Sequence, residues 1–254
     1  MTATSQTISS VGVELLRPAS INSGALEQLN AGYPLLLETL EPARLSQTLQ
    51  DLGAEIGRPY IDTKESPFLV QSIKPEEDAL DQSSNSFNGE LRMHTENPYE
   101  DLEPDFLLIG CSANSEQAVT LISDGNIAFS GLAEPVRKRL QEPRFSVLEA
   151  GKFAAAAGRA RQMIAQNVPV AKIADDGKFD FQIDFEATVA RGLYKDALEQ
   201  FEHRCRAIAR EIILNPGDVL VLPNQRVIHG RKSFNTNTKS PERRQLLRMF
   251  VQKG

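Results

Sequence analysis

Short apolar runs separated by turn residues are the main pattern along this chain. Runs of this length, rich in Leu, Ile, Val and Phe and bounded by Gly, Pro, Asn or Asp, are typical of β-strands. The segment Asn215-Pro-Gly-Asp places Pro and Gly where a type II turn requires them. The pattern predicts strands at about 33–38, 68–73, 105–111, 117–122, 179–185, 218–222, 226–229 and 245–251.

Helical spacing is evident in two places. A helix is predicted from Pro42, a favourable first helical residue, to Ile56. A longer helix is predicted over roughly 188–212, with the apolar stripe Tyr194, Leu198, Phe201, Cys205, Ile208 and Ile212. Strands on both sides of a helical insertion predict one mainly β domain over 1–254, a sandwich or barrel with peripheral helices, a flexible start at about 1–10 and an insertion at about 150–212.

Composition narrows the class of protein. The 254 residues include 28 Lys plus Arg and 34 Asp plus Glu, which gives a net charge of −6. This mild acidity argues against nucleic acid or an anionic membrane surface as the partner. The chain has no apolar run long enough to span a membrane, its start is polar, and its two cysteines are far apart. We therefore expect a cytoplasmic protein with a small-molecule partner, whose oligomeric state the sequence leaves open.

The chain has only three histidines. His203 lies on the polar side of the predicted long helix, between Glu202 and Arg204, and is expected to be a solvated surface residue. His94 lies two residues before Glu96, and alternate residues of an extended chain face the same side. An imidazole and a carboxylate side by side are two of the three ligands of the facial triad that binds iron(II). By itself this motif is a weak signal, because a surface His beside a surface Glu is its usual explanation.

His229 follows two short predicted strands that meet at Pro223-Asn-Gln. A buried histidine there could be a metal ligand or a core residue. The last strand adds Arg244 and Arg248, which are four residues apart and therefore on one face, among apolar neighbours. A buried guanidinium requires a carboxylate partner, which is either a small dicarboxylate ligand or an acidic side chain of the protein.

These motifs together resemble one enzyme family. The order His94-Thr-Glu, Pro104-Asp-Phe-Leu-Leu-Ile-Gly-Cys, Gly-Asp-Val-Leu…His229-Gly-Arg-x-x-Phe and Arg244-x-x-x-Arg is similar to that of the iron(II)/2-oxoglutarate dioxygenases. Within them it resembles the clavaminate synthase-like, TauD/TfdA-related branch, which includes asparagine and arginine hydroxylases. The resemblance implies a double-stranded β-helix (jelly roll) with outer helices and a helical lid.

The resemblance also implies site residues and cofactors. His94, Glu96 and His229 would bind Fe(II), and O₂ would be the second co-substrate beside 2-oxoglutarate. Arg244, with Arg243 as the neighbouring alternative, and Thr120 would bind 2-oxoglutarate. The residues that would contact the substrate are Gln71, Ser84, Ser86, Asn88, Asp184 and Arg248.

The expected activity is hydroxylation of a free L-amino acid, basic or amidic, with succinate and CO₂ as co-products. Desaturation, cyclisation, and a carrier-tethered or sulfonate substrate remain alternatives within this class. A jelly-roll binding module without catalysis is an alternative outside it. Because Glu96 fills the carboxylate position, a related halogenase is not expected.

Overall fold

The computed structural model describes residues 13–38, 40–75, 88–235 and 243–254, and within them the chain is mainly β-sheet with fewer helices, as predicted. The helices are α1 (Ser23–Asn30), α2 (Leu45–Ile56), α3 (Gly125–Ser130), α4 (Glu134–Gln141), α5 (Gly151–Ala156) and α6 (Leu193–Ile208). The strands are β1 (Leu35–Leu37), β2 (Arg58–Tyr60), β3 (Gln71–Ile73), β4 (Leu91–His94), β5 (Phe106–Ala113), β6 (Val119–Asp124), β7 (Phe145–Leu148), β8 (Met163–Val168), β9 (Ala171–Ile173), β10 (Phe179–Phe181), β11 (Thr188–Val189), β12 (Arg210–Ile213), β13 (Val219–Pro223), β14 (Val227–Arg231) and β15 (Gln245–Gln252).

Two antiparallel sheets form the centre of the molecule. The larger sheet has the order β1-β13-β5-β15-β2, with β3 also paired to β15, and the smaller sheet has the order β12-β6-β14-β4. One core cluster contains Leu107 and Leu220 of the larger sheet together with Ile122 and Val227 of the smaller sheet. Because these side chains share one cluster, the sheets pack face to face.

Helices cover the outer faces of both sheets. Leu29 of α1 and Leu49 of α2 share a buried cluster with Leu108 of the larger sheet. On the other side, Phe201 of α6 shares a cluster with Ile228 of the smaller sheet. In the described residues, no helix is long and apolar enough to cross a membrane.

The predicted turn before β13 has the expected geometry. The Asp218 amide donates to the Asn215 carbonyl at 2.9 Å, and Gly217 has a φ of +94°. A Cβ atom on Gly217 would lie 2.2 Å from the carbonyl oxygen of Leu40. Glycine is therefore required here for both the backbone angle and the close approach of the neighbouring chain.

The long helix predicted over 188–212 is wrong at both ends. Helix α6 covers only Leu193–Ile208, since Thr188 belongs to β11 and Ile212 belongs to β12, which pairs with β6. Ile212 continues the helical spacing of the apolar stripe, but it is buried between the two sheets. Residues 210–213 end in two β-branched isoleucines, and hydrogen bonding to a sheet edge is favoured over another helical turn there.

Several other predicted elements are shorter than expected. The strand predicted at 68–73 is confined to Gln71–Ile73, and Phe68 is exposed. The strand predicted at 179–185 ends at Phe181. Before α6, the predicted insertion at 150–212 contains the short helix α5 and the strands β8–β11, so much of its first part is strand rather than helix.

Candidate metal and co-substrate site

His94, Glu96 and His229 meet between the two sheets. Their ligand atoms all lie within 4.8 Å of one another, and all three side chains are at most 9% exposed. His94 and His229 are directly opposite each other in the β4–β14 ladder, and their ring centroids are 4.4 Å apart. The structure therefore brings together the three residues that the sequence singled out. In contrast, His203 is exposed on α6, as expected.

Backbone contacts hold the segment that follows β4. The Thr95 amide donates to the Ile183 carbonyl at 2.7 Å, and the Glu96 amide donates to Oδ1 of Asn224 at 2.7 Å. The Asn224 side chain, which is completely buried, also donates to the carbonyls of Glu96 at 3.1 Å and Pro104 at 2.9 Å. Asn224 therefore fixes the peptide groups on both sides of the Glu96 side chain.

The two imidazoles are suited to metal binding. Nδ1 of His94 lies 2.8 Å from the carbonyl oxygen of Arg92, which favours the tautomer with a free lone pair on Nε2. Burial, reinforced by the neighbouring His94, lowers the pKa of His229 to about 3. A neutral imidazole is the form that binds metals. Two imidazoles and one carboxylate at this distance match the donor set of a non-haem iron(II) site.

The glycine that follows His229 is required by the close approach of strands β14 and β4. A Cβ atom on Gly230 would lie 2.8 Å from the carbonyl oxygen of Leu91 on β4. The register of the β4–β14 ladder also shifts between His229 and Arg231, which indicates a bulge. Close approach and a bulge are common beside active sites, where they direct side chains.

Arg248 is almost fully buried beside the carboxylate of Glu96. Its NH1 group donates to Oε1 of Glu96 at 2.8 Å, and its NH2 group donates to Oε2 of Glu65 at 3.0 Å. Its Nε and NH2 groups donate to Oε1 of Gln71 at 3.0 and 2.6 Å. Burial alone would lower the pKa of Arg248, but the charges of Glu96 and Glu65 outweigh it and raise the pKa.

Arg244 lies on the same strand face as Arg248 and is also buried, whereas the neighbouring Arg243 is half-buried on the other face. Among the described residues, no carboxylate lies within ion-pair distance of the Arg244 guanidinium, which packs over the ring of Phe234 at 5.5 Å. Burial lowers the pKa of Arg244 to about 10. The buried side chain of Thr120 lies on β6 of the smaller sheet.

A cavity of about 70 Å³ is lined by His94 and Glu96. Asp184, one of the residues predicted to contact substrate, lines the cavity and forms a backbone bridge with His94. Its Oδ1 accepts hydrogen bonds from the amides of Glu186 and Ala187. The cavity is rich in acidic side chains, namely Glu65, Glu90, Glu96, Glu100, Asp184 and Glu186.

Some predicted contacts are not tested, and some important residues were missed. Ser84 and Ser86 lie outside the described residues, and the Asn88 carbonyl accepts from the Phe234 amide at 3.0 Å. Sequence reasoning did not identify Asn224, because an asparagine in a turn is ordinary. It also missed Glu65, which no local pattern distinguishes. Arg231 could have been found, because it lies two residues after His229 and therefore on the same strand face.

Residues 4–250 match the model of the Taurine catabolism dioxygenase TauD, TfdA family. The chain therefore belongs to this family, which confirms the resemblance inferred from the motifs. An L-lysine 3-hydroxylase of Catenulispora acidiphila is 29% identical over 150 residues, or 57% of this chain and 41% of that protein. An enduracididine beta-hydroxylase of Streptomyces hygroscopicus is 24% identical over 205 residues, or 71% of this chain and 59% of that protein. The chain thus spans about half the length of these relatives.

A solved structure has the same fold. It is an asparagine oxygenase in complex with Fe(II), (2S,3S)-3-hydroxyasparagine and succinate, with a TM-score of 0.78 and 19% identity. The match covers 91% of this chain and 80% of that chain. At this level of identity the match establishes the fold.

Proposed function

We propose that this chain is an iron(II)- and 2-oxoglutarate-dependent oxygenase that hydroxylates an unactivated C–H bond of a free L-amino acid. The observation that carries the proposal is the meeting of His94, Glu96 and His229 within 4.8 Å in the interior. Membership of a dioxygenase family and relatives named as amino-acid hydroxylases support the same conclusion. The two facing sheets are proposed to form the double-stranded β-helix of that family.

The proposed roles follow from the contacts of each side chain. His94, Glu96 and His229 would hold iron on one face, and iron with O₂ and 2-oxoglutarate would supply the oxidising chemistry, with succinate and CO₂ as co-products. Arg248 would fix the orientation of the Glu96 carboxylate through their hydrogen bond. Arg244, which has no described carboxylate partner, would bind the distal carboxylate of 2-oxoglutarate, and Thr120 would donate a hydrogen bond to it.

The acidic cavity supports a substrate with a cationic side chain. Asp184 and Glu186 line the cavity together with His94 and Glu96 and would attract such a side chain. Gln71 and Arg248 are the proposed contacts of the substrate amino and carboxylate groups. Because the Arg248 donors contact Glu96, Gln71 and Glu65, a substrate carboxylate would have to displace Glu65.

The segment that precedes α6 is the proposed cover of the substrate cavity. The cavity is lined by Ala150, which precedes α5, by Phe153 of α5 and by Ile164 of β8, together with Asp184. The backbone bridge between His94 and Asp184 joins this segment to the edge of the smaller sheet. The cover would exclude water from the reacting carbon once the substrate is bound.

The test is anaerobic loading with Fe(II) and 2-oxoglutarate, followed by air and a panel containing L-lysine, L-arginine and L-asparagine. The expected result is succinate release stimulated by a basic amino acid and a product one oxygen atom heavier by mass spectrometry. Glu96→Ala should abolish turnover, whereas Glu199→Ala, at an exposed position of α6, should not change it.

Each alternative has its own outcome in this experiment. A product two hydrogen atoms lighter than the substrate would indicate desaturation or ring closure. Succinate release with no stimulation by any free amino acid would overturn the proposed substrate class and leave a tethered or sulfonate substrate. Absence of both iron binding and 2-oxoglutarate turnover would overturn the enzyme assignment and support a binding module.

A further inference from the structure

Arg231 is buried on β14, the strand that also carries His229. The two residues are separated by Gly230, so their side chains face the same side of β14. Arg231 is 3% exposed, and in the β6–β14 ladder it lies directly opposite Thr120. Strand β14 therefore carries both the proposed metal ligand His229 and Arg231, and Arg231 lies opposite Thr120, a proposed 2-oxoglutarate contact.

Arg231 also lies close to Arg244 of the larger sheet. Both guanidinium groups pack over the ring of Phe234, with their carbon atoms 4.9 and 5.5 Å from the ring centroid. Two like charges held together in the interior repel each other, and a bound dianion would relieve this repulsion.

The spacing along β14 fits a short dicarboxylate. Residues i and i+2 of an antiparallel strand are about 6.8 Å apart. A five-carbon 2-oxo diacid that contacts the metal site beside His229 would extend by a comparable length along the strand. Its second carboxylate would then lie among Arg231, Thr120 and Arg244, the buried polar side chains at that depth.

We propose that Arg231 is a second cationic anchor for the distal carboxylate of 2-oxoglutarate, acting together with Arg244. This inference rests on the proposed function. Arg231 also donates from NH2 to the carbonyl of Gly89 at 2.9 Å, and this contact positions the guanidinium beside Arg244. Two guanidinium groups make the subsite select a dicarboxylate over a 2-oxo acid that lacks the second carboxylate.

The test measures binding rather than turnover. The Mn(II)-loaded full chain is titrated anaerobically with 2-oxoglutarate and with 2-oxopentanoate, which keeps the 2-oxo acid group and lacks the distal carboxylate. Arg231→Gln is expected to raise the Kd of 2-oxoglutarate about 10- to 100-fold, as expected for the loss of a charge-assisted contact. The Kd of 2-oxopentanoate and the affinity for Mn(II) should change less than about twofold, since neither ligand uses this contact.

Two further variants complete the design. Arg231→Lys keeps the charge and should recover part of the lost affinity, while Arg210→Gln, at an exposed position of β12, should bind 2-oxoglutarate as the unaltered chain does. If Arg231→Gln does not fold, the Arg231→Lys variant still tests the proposal. An ammonium group cannot make the two parallel hydrogen bonds of a guanidinium, so this variant should bind 2-oxoglutarate more weakly while its affinity for 2-oxopentanoate changes less.

The two proposals fail in different ways. A folded Arg231→Gln variant with an unchanged 2-oxoglutarate Kd would overturn the anchor, and so would an equal loss of affinity for both 2-oxo acids. In those cases Arg231 has only a structural role through its hydrogen bond to the Gly89 carbonyl, and the proposed function is unaffected. If the unaltered chain binds neither Mn(II) nor 2-oxoglutarate, the proposed function itself fails.

Discussion

Two buried arginines on one strand face, Arg248 and Arg244, have opposite surroundings. Arg248 contacts the carboxylates of Glu96 and Glu65 as well as the Gln71 side chain. Arg244 contacts the ring of Phe234, and the described part of the chain offers it no ion pair. The charge of Arg248 is therefore compensated from within the protein, and that of Arg244 is not.

We infer that this difference distinguishes a charge that the protein itself compensates from a charge that a bound anion would compensate. A compensated buried charge is expensive to expose by mutation, because removing one partner leaves another unpaired. An uncompensated buried charge costs stability in the free protein, and that cost is recovered when an anion binds. The proposed function therefore predicts that a bound dianion stabilises the region around Arg244, whereas the charge of Arg248 needs no ligand for its compensation.

The largest expected effect comes from exchanging each arginine for methionine. Arg248→Met should lower the free energy of unfolding by about 3–5 kcal/mol, because it removes the guanidinium that donates to the carboxylates of Glu96 and Glu65. Arg244→Met should leave the melting temperature unchanged or higher, yet abolish 2-oxoglutarate binding. Denaturant unfolding and an anaerobic 2-oxoglutarate titration check both variants, and equal destabilisation by the two would contradict the comparison.

Asn224→Ala tests whether the hydrogen bonds of Asn224 hold Glu96 in the position that metal binding requires. The change removes hydrogen bonds to the Glu96 amide, the Glu96 carbonyl and the Pro104 carbonyl. We expect a loss of about 2–3 kcal/mol of stability and a roughly 10-fold weaker affinity for Fe(II). Calorimetry and a competition titration against a chelator measure the two quantities. An unchanged iron affinity in the destabilised variant would show that Asn224 acts on the fold alone.

Glu65→Gln tests whether the compensation of Arg248 competes with substrate. A neutral amide holds the guanidinium less strongly than a carboxylate by about 1 kcal/mol. We therefore expect the KM for the amino acid to fall about fivefold while kcat stays within about twofold. Steady-state succinate release measures both constants. A higher KM would indicate instead that Glu65 contacts the substrate directly.

Glu103 has a largely buried carboxyl group, and its replacement gives the smallest expected effect. Burial raises its pKa to about 7, against the hydrogen bonds from Gln182 and Gln225. The folded state therefore keeps a proton that the unfolded state releases above about pH 4.5, so stability falls as the pH rises from there to about 7. Glu103→Gln should remove this slope and raise stability at pH 8 by about 1 kcal/mol.

Melting temperatures between pH 5 and 8 measure this effect. Glu55→Gln, at an exposed position of α2, is the matched control and should keep the slope of the unaltered chain. A slope that persists in Glu103→Gln would mean that another group titrates in this range.

The meeting of His94, Glu96 and His229 agrees with the sequence analysis more closely than the ends of the surrounding elements do. Alternation along a strand is a local property, so His94 and Glu96 could be placed on one side without knowledge of the fold. Burial of Arg244 and Arg248 on one face followed from the same rule. The end of α6 could not be predicted in this way, because Ile212 continues a helical spacing and only its pairing with β6 decides for a strand.

Contacts between distant segments also lay beyond sequence reasoning. Asn224 and Glu65 acquire their importance from Glu96 and Arg248, which are 128 and 183 residues away along the chain. No periodicity links such positions, and each residue type is ordinary in its own segment. The family resemblance supplied the fold, but it did not supply these partners.

The backbone bridge between His94 and Asp184 has a consequence for engineering. The residue proposed to read the substrate side chain is joined through the main chain to a proposed metal ligand. Because Oδ1 of Asp184 also accepts hydrogen bonds from the amides of Glu186 and Ala187, exchanging Asp184 is expected to disturb the loop beside His94 as well as the proposed specificity. Variants that keep Asp184 and alter Glu186, which lines the same cavity, are expected to change substrate preference with less effect on the proposed metal ligands.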